Sequence, residues 1–226
     1  MIERESVHLW MILLDRGDLA DHLDVLSHDE AARANRFRQE RDRRRFIVAR
    51  GAMRAILGRY LGTAPEALAF RYGTQGKPEL RSCTSALHFN LAHSHERAVL
   101  AVAVCGAVGV DLEWRHGLRD ADGIVGRYFT EPENAVYRAL PDELRPSAFY
   151  RGWTVKEAYL KAIGKGLAGP LEGIVVGLDP RQPARLEALD GDEPERWTLH
   201  EFITGPDYHG AVIVAGPVSI KQWEYV

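Results

Sequence analysis

The order of secondary-structure patterns is the strongest constraint on the fold, because the same order occurs twice along the chain. An apolar run of strand length, then helical patterns and then further strand patterns occur before about residue 105. A similar series follows it. This order predicts an α+β protein made of two halves, residues 1–105 and 106–226, although no direct sequence repeat relates them.

Within the first half, residues 7–15 (VHLWMILLD) form a continuous apolar run and predict a central buried strand. Ser27 and Glu30 fit a capping box that starts a helix ending near Phe37. From residue 43 to 61, apolar residues recur at helical spacing until Gly62 ends the pattern. Residues 73–78 (GTQGKP) predict a loop. Two strands are then predicted, at residues 87–92 (LHFNLA) and 98–105 (AVLAVAVC).

The second half begins with a strand at residues 107–114 (AVGVDLEW), followed by a helix near residues 124–129. Thr130 and Glu133 offer a second capping box. A long helix is predicted from about residue 147 to 163, with Gly164 and Gly166 as its stop. The remaining predicted strands are residues 173–178 (GIVVGL), 197–202 (WTLHEF) and 211–215 (AVIVA).

Composition excludes several classes of protein. The chain has 226 residues, of which 46% are hydrophobic and 27% charged, and its net charge of −3 argues against general nucleic-acid binding. No apolar run approaches the roughly 18 residues of a membrane span. The acidic N-terminal segment does not read as a signal peptide. Cys83 and Cys105 make neither a disulfide framework nor a zinc ligand set, so we expect a cytoplasmic protein.

Two carboxylates share one face of the predicted strand at residues 107–114. Side chains two apart on a strand point to the same side, so Asp111 and Glu113 lie together beside Gly109. Adjacent carboxylates repel each other unless water or a cation lies between them. The pair therefore indicates either a solvent-exposed strand face or a Mg²⁺ site, since Mg²⁺ prefers oxygen ligands.

A third carboxylate lies on the long helix. Trp153, Glu157 and Lys161 are spaced i, i+4 and i+8 and form one ridge of this helix. A surface Glu–Lys pair contributes only about 0.3–0.5 kcal/mol, so the ridge by itself is also compatible with ordinary surface ion pairs. Its combination with Asp111 and Glu113 favours a functional carboxylate.

Five motifs in order resemble those of the 4′-phosphopantetheinyl transferase superfamily, in its larger, monomeric surfactin-synthetase-activator type. The strand VGVDLEW resembles the family's G-(V/I)-D-x-E motif, and the helix segment WTVKEAYLK resembles W-x-x-K-E-A-x-x-K about forty residues later. An arginine-bearing helix (DRRRFIVARGAMRAILGRYLG), the GKP loop and FNLAHS resemble three further elements. The resemblance covers most of the chain up to about Pro170.

This resemblance implies both an activity and a fold. A holo-[acyl-carrier-protein] synthase-type enzyme would move the phosphopantetheine arm of coenzyme A, its co-substrate, onto a serine of an apo acyl or peptidyl carrier protein and release adenosine 3′,5′-bisphosphate. The family fold is two similar α/β halves related by a pseudo-twofold axis, with the coenzyme A cleft between them. The expected partners are coenzyme A and a carrier of fatty-acid, polyketide or nonribosomal-peptide synthesis, served by a monomer without nucleic acid or membrane.

The resemblance also assigns the metal site and the catalytic residues. The metal is Mg²⁺, with Mn²⁺ as the alternative, and its implied ligands are Asp111, Glu113 and Glu157. Glu157 is also the expected acceptor of the serine proton, directly or through water. Lys161, one helical turn later, is expected to bind pyrophosphate oxygens. Lys156 is left as a minor contributor.

The nucleotide part of coenzyme A is assigned to basic residues of the first half. His93 matches a family histidine that contacts the nucleotide, and Lys77 of the GKP loop matches a lysine near the 3′-phosphate. Arg45 and Arg33 are expected to add to this basic patch. Ala92 departs from the family, because a serine usually precedes the motif histidine; a backbone amide or Ser94 is the expected substitute.

Two other functions stay open on the sequence alone. One is a degenerate coenzyme A-binding module that regulates carrier-bearing synthases, and the other is a Mg²⁺-dependent phosphohydrolase that uses water in place of the serine. Residues 127–129 (RYF) are interpreted either as a carrier contact or as core residues of an amphipathic helix.

Overall fold

The computed structural model describes residues 2–3, 5–73, 76–81, 86–104, 106–117, 120–165 and 169–225. Helices and strands are mixed along these ranges, so the predicted α+β fold is confirmed. Cys83, Cys105, Gly166 and residues 74–75 of the predicted loop lie outside the described residues.

In its described residues, the first half begins with a strand, continues through three α-helices and ends in four strands. The Ser27–Glu30 capping box is present. Its helix ends at Ala34, earlier than predicted, because Asn35 forms the C-terminal cap. Gly62 ends the long helix in the left-handed conformation with φ of 61°. The elements are β1 Ser6–Leu13, α1 Leu19–Leu23, α2 His28–Ala34, α3 Glu40–Leu61, β2 Phe70–Tyr72, β3 Pro78–Leu80, β4 His88–Ser94 and β5 Arg97–Ala103.

The second half repeats this order of elements. The Thr130–Glu133 capping box is present, and Gly164 follows the long helix with φ of 75°. The elements are β6 Val108–Trp114, α4 Ala121–Tyr128, α5 Glu131–Ala139, α6 Arg145–Ala162, β7 Ile174–Val176, β8 Leu186–Leu189, β9 Trp197–Phe202, β10 Tyr208–Ala215 and β11 Ser219–Tyr225.

Each half contributes one large sheet of similar strand order. The first sheet has the order β11-β1-β5-β4 and the second β6-β10-β9. In the first sheet β1 pairs with β5 and β5 with β4, and in the second β6 pairs with β10 and β10 with β9. The final strand β11 pairs in parallel with β1 and therefore crosses back to the sheet of the first half. The division at residue 105 and the pseudo-twofold axis stay predictions.

Three apolar cores hold these layers together. One core lies between α3 and the first sheet and contains Met53 and Leu100. A second lies beneath α6, and a third contains Leu9 and Val110 from the facing sides of the two sheets. The layers therefore follow the order helix, sheet, sheet, helix. Among the described residues, no helix is long and apolar enough to cross a membrane.

Candidate functional site

The acidic face of β6 is buried against α6. A Cβ atom on Gly109 would lie 2.0 Å from the carbonyl oxygen of Ala158, so only glycine allows the helix to approach the strand this closely. Two residues further along the same face, Asp111 is only 5% exposed. The alternative of a solvent-exposed strand face is therefore wrong, and the polar face predicted from the sequence is an interior one.

Glu157 and Lys161 project from α6 toward these strand carboxylates. Lys161 Nζ lies 2.6 Å from Asp111 Oδ1, and Glu157 is 3% exposed. Asp111 Oδ2 and Glu157 Oε1 are buried, and neither has a hydrogen-bond partner. Two buried acceptors without partners are costly unless something else binds them. The carboxylates of Asp111, Glu113 and Glu157, with the ammonium of Lys161, are called the acidic cluster below.

Burial and mutual repulsion shape the protonation of the acidic cluster. Burial, followed by the charges of Asp111 and Glu113, raises the pKa of Glu157 to about 7. Burial and the charge of Asp111 also raise the pKa of Glu113. Burial raises the pKa of Asp111, although the ion pair with Lys161 opposes that shift. A bound cation would relieve both effects.

The acidic cluster offers the oxygen donor atoms that a hard metal ion such as Mg²⁺ prefers. All three carboxylates offer oxygen ligands, and two of them carry buried oxygens without partners. Glu113 Oε2 is engaged by the hydroxyl of Ser94 at 3.0 Å. Within the part of the chain that the structure describes, no three or more His, Cys, Asp or Glu side chains are arranged as a metal centre. The fit therefore rests on the unpartnered oxygens, and the ligand geometry stays a prediction.

Strands β4 and β6 lie side by side without backbone pairing and are joined by two side chains of β4. Asn90 Oδ1 accepts the Val110 amide at 2.8 Å, and Ser94 Oγ accepts the Trp114 amide at 3.0 Å while donating to Glu113. Ser94 was predicted as a substitute contact to the coenzyme beside Ala92. Its hydroxyl instead orients Glu113 and connects the two halves.

Lys77 forms a further connection between the halves. Its ammonium donates to the carbonyl oxygens of Val108 at 3.1 Å and Lys161 at 2.6 Å, which ties the GKP loop to the start of β6 and the end of α6. Burial lowers the pKa of Lys77 to about 8. Two of its three donors are therefore already in use.

A cavity of about 500 Å³ links the acidic cluster to basic residues of the first half. It is lined from the first half by Arg33, Arg50, Lys77 and His93 and from α6 by Glu157 and Lys161, and it is called the basic cavity below. Side chains of both halves thus converge on one space, which is of a size that holds organic ligands. The structure brings together Arg33, Lys77, His93, Glu157 and Lys161 as lining residues, with Asp111 and Glu113 behind them.

Arg45 does not line the basic cavity. Its guanidinium is held by Asp15 through two hydrogen bonds of 2.8 and 2.6 Å. Arg50, five residues later on the same helix, lines the cavity and was missed by the sequence analysis. The available signal was its position within the apolar stripe of α3, four residues after Phe46 and three before Met53.

Other residues singled out in the sequence have structural surroundings. Lys156 is 0% exposed and pairs with Glu133 at 2.8 Å, so it lies away from the cavity. Phe129 is buried in the core beneath α6, as the core interpretation of residues 127–129 requires.

Comparison with known proteins gives two family matches that together span most of the chain. Residues 107–213 match the 4′-phosphopantetheinyl transferase superfamily, and residues 15–105 match a 4′-phosphopantetheinyl transferase N-terminal family. The two matches meet near the division predicted from the sequence.

Individual relatives match over most of their lengths. The 4′-phosphopantetheinyl transferase HetI of Nostoc sp. is 43% identical over 98% of this chain and 93% of its own. A putative 4′-phosphopantetheinyl transferase of Synechocystis sp. is 37% identical over 74% of this chain and 68% of its own. A 4′-phosphopantetheinyl transferase of Bacillus subtilis is 27% identical over 93% and 94%. With these matches, the chain belongs to the 4′-phosphopantetheinyl transferase superfamily, as an enzyme of the larger type that its sequence resembles.

Proposed function

We propose that this enzyme transfers the 4′-phosphopantetheine arm of coenzyme A to a serine of an apo acyl or peptidyl carrier protein. The reaction depends on Mg²⁺, or on Mn²⁺ as the alternative, and releases adenosine 3′,5′-bisphosphate. Family membership supports the transfer of phosphopantetheine. The donor, the metal and the second product are argued from the cavity.

One observation carries the proposal: the same cavity is acidic at one end and basic at the other. Buried carboxylates with unpartnered oxygens adjoin Lys161 at the acidic end, while Arg33 and Arg50 line the other. Coenzyme A requires both, because its pyrophosphate needs charge neutralisation at the reacting phosphorus and its 3′-phosphate needs cationic donors.

Asp111, Glu113 and Glu157 would hold the metal. When bound, Mg²⁺ supplies neutralisation of the charge on the pyrophosphate oxygens, as in other phosphoryl transfers. Asp111 Oδ2 and Glu157 Oε1 are buried and have no hydrogen-bond partner, so both oxygens are available to a bound cation.

The bond changes assign a role to two residues of α6. The serine oxygen forms a bond with the phosphorus that carries the pantetheine, and the bond from that phosphorus to the bridging oxygen breaks, so the bridging oxygen leaves with adenosine 3′,5′-bisphosphate. Glu157 Oε1 has no hydrogen-bond partner and is the acceptor of the serine proton. Lys161, with its side chain 26% exposed, donates to a non-bridging phosphate oxygen while it stays beside Asp111.

The nucleotide portion occupies the basic end of the cavity. His93 and Lys77 line that end, and Lys77 keeps one donor free for a phosphate oxygen. Arg33 adds a guanidinium without a carboxylate partner among the described residues. Arg45 stays a prediction that would require its ion pair with Asp15 to open.

The partner is a carrier protein, and the enzyme works as a cytoplasmic monomer that uses neither nucleic acid nor membrane. The net charge of −3 supports the proposal that the enzyme does not use nucleic acid. Fatty-acid, polyketide and nonribosomal-peptide carriers all present the same serine chemistry.

Mass spectrometry of carriers tests the proposal. The protein is incubated with coenzyme A, Mg²⁺ and a panel of apo-carriers, each paired with a variant in which the acceptor serine is alanine. The expected result is a mass gain of one phosphopantetheine arm on at least one carrier, absent from its serine variant and absent in EDTA. Release of bisphosphate without a carrier and without any mass gain would contradict the proposal and indicate a phosphohydrolase.

A further inference from the structure

The carboxyl end of α6 lies where this helix comes closest to β6. A Cβ atom on Gly109 would lie 2.0 Å from the carbonyl oxygen of Ala158 and 2.4 Å from the amide nitrogen of Ala162. Helix α6 ends at Ala162, so no continuing helix satisfies the carbonyl groups of its last turn. The placement of this turn therefore depends on the groups that follow it and on those that face it.

The ammonium of Lys77 binds both elements at this point. Its Nζ donates to the carbonyl oxygen of Lys161 at 2.6 Å and to that of Val108 at 3.1 Å. A second hydrogen bond to the Lys161 carbonyl, from the amide of Gly164, is longer at 3.3 Å. A cation at the carboxyl end of a helix also interacts favourably with the helix dipole. Lys77 of the first half thus caps a helix of the second half.

No ion pair draws this ammonium away from the two carbonyls. Among the described carboxylates, none lies within 4.0 Å of Lys77 Nζ. Glu79, two residues later, is paired with Arg71 at 2.9 Å. Burying an ammonium costs free energy unless its donors are used, so the two backbone carbonyls are what hold this side chain in place.

The backbone that Lys77 holds belongs to a residue of the acidic cluster. The Lys161 carbonyl accepts from Lys77, while the Lys161 ammonium lies 2.6 Å from Asp111 Oδ1. Glu157 lies one turn earlier on the same helix. A misplacement of about 1 Å at a reacting group can lower a rate by about 100-fold. The position of the last turn of α6 is therefore expected to matter for the reaction.

We infer that Lys77 is a positioning residue that fixes the last turn of α6 against β6 and thereby sets the rate of transfer through Lys161. The inference rests on the proposed function for the reaction that is measured. A lysine that only bound a phosphate would change the affinity for coenzyme A, whereas a lysine that positions Lys161 changes the turnover number. The two roles can therefore be separated by experiment.

Steady-state kinetics of carrier modification test this inference. The kcat and the KM for coenzyme A are measured for the wild-type protein, Lys77→Met and Lys77→Arg, with the carrier that gains mass and saturating Mg²⁺. Lys221→Met is the matched control, because Lys221 pairs with Glu3 and does not line the basic cavity. Calorimetric titration of coenzyme A into each full-length variant measures binding separately, and thermal unfolding reports whether the variant is folded.

Lys77→Met should lower kcat by about 10- to 100-fold, because methionine fills similar space without donating to either carbonyl. The dissociation constant of coenzyme A should rise by a smaller factor than that by which kcat falls. Lys77→Arg should recover part of the lost rate, since a guanidinium keeps the charge and the donors. Lys221→Met should match the wild-type protein.

Hydrogen exchange gives a local measurement of the same contact. The amides of Ile163, Gly164 and Lys165 donate to carbonyls of the last turn of α6. In Lys77→Met these amides should exchange faster than in the wild type, while amides in the middle of α6 should exchange at the wild-type rate. This pattern would place the effect at the end of the helix and not in the fold as a whole.

Three results would overturn the inference: a kcat of Lys77→Met within threefold of the wild type, a loss that lies wholly in the affinity for coenzyme A, and unchanged exchange at the end of α6. Should Lys77→Met not fold, Lys77→Gln is judged by the same criteria, because its shorter amide cannot span both carbonyls. A wild-type protein that transfers the arm together with an unimpaired Lys77→Met refutes only the role of Lys77. Absent transfer by the wild type refutes the proposed function.

Discussion

The two halves of the molecule contain the same buried ion pair, but only one half places a carboxylate next to it. In the first half, capping-box Glu30 pairs with Arg54 of α3 at 2.6 Å; in the second, capping-box Glu133 pairs with Lys156 of α6 at 2.8 Å. In both pairs the partners are almost fully buried. On α6 the next residue is Glu157, whereas on α3 the corresponding position is an alanine.

The surroundings of the two cations are also alike. Each donates to two backbone carbonyls beyond its helix, Arg54 to Pro65 and Leu68, and Lys156 to Leu171 and Ile174. Each also lies over an aromatic ring. The pair therefore fixes a short helix and the following loop to the long helix in both halves. Both halves therefore share this scaffold, and the proposed chemistry is assigned to the carboxylate that only the second half places beside it.

The largest expected effect comes from removing the carboxylate that distinguishes the halves. Glu157→Gln should lower the rate of carrier modification by at least about 100-fold, because it removes both a proposed metal ligand and the proposed proton acceptor. The melting temperature should stay equal or rise, since the substitution removes a buried charge repelled by Asp111. Carrier mass spectrometry and thermal unfolding measure the two effects. Glu131→Gln, at an exposed position of α5, is the control; a fall in rate of less than tenfold in Glu157→Gln would contradict its role.

The next effect tests whether the two ion pairs are equivalent. Lys156→Met and Arg54→Met should each lower the free energy of unfolding by about 3–5 kcal/mol, because each leaves a buried glutamate without its cation. Adding Glu133→Gln or Glu30→Gln to the respective variant should restore part of the loss. Urea denaturation provides the measurement. If one methionine variant is strongly destabilised and the other is not, the two halves do not share a scaffold.

A smaller effect concerns the hydroxyl that joins the halves beside the acidic cluster. Ser94→Ala should raise the Mg²⁺ concentration needed for half-maximal rate by about tenfold, because Glu113 loses the donor that orients it. Ser94→Thr should behave like the wild type. Asn90→Ala breaks the other connection between β4 and β6 and should lower stability by about 1 kcal/mol without changing the Mg²⁺ requirement. Equal changes in the Mg²⁺ requirement of Ser94→Ala and Asn90→Ala would show that the connection between β4 and β6, and not the Glu113 contact, sets that requirement.

The sequence predicted those parts of the molecule that depend on local patterns. Both capping boxes, the glycine that ends α3 and the ridge of Glu157 and Lys161 follow from spacing along one element. Contacts between segments that are distant in the chain leave no comparable pattern in the sequence. The return of β11 to β1 and the capture of Arg45 by Asp15 depend on how distant segments pack.

The interior position of Asp111 was ambiguous for a related reason. Alternation along a strand shows which residues share a face but not what covers that face. The covering helix α6 lies more than thirty residues later in the chain, and only the close approach at Gly109 reveals that it lies on the acidic side. The sequence placed Gly109 on the same face as the carboxylates, and in the structure α6 lies directly against it.

The smallest effect compares a second pair of ion pairs, one from each half, through their pH dependence. Burial alone would raise the pKa of Glu201, but hydrogen bonds from His209 and Arg151 outweigh it and hold the pKa at about 2, below the ordinary 4.5. A carboxyl group with a depressed folded-state pKa contributes full stability above its unfolded pKa and loses that contribution as the pH falls toward the folded one. The free energy of unfolding should therefore fall more steeply between pH 4.5 and about 2 in the wild type than in Glu201→Gln.

In the first half, the hydrogen bond from Arg45 likewise lowers the pKa of Asp15, but this side chain is 45% exposed, so Asp15→Asn should change this pH dependence less than Glu201→Gln does. Urea titrations at several pH values measure both slopes, and a larger change in Asp15→Asn would show that burial does not separate the two pairs.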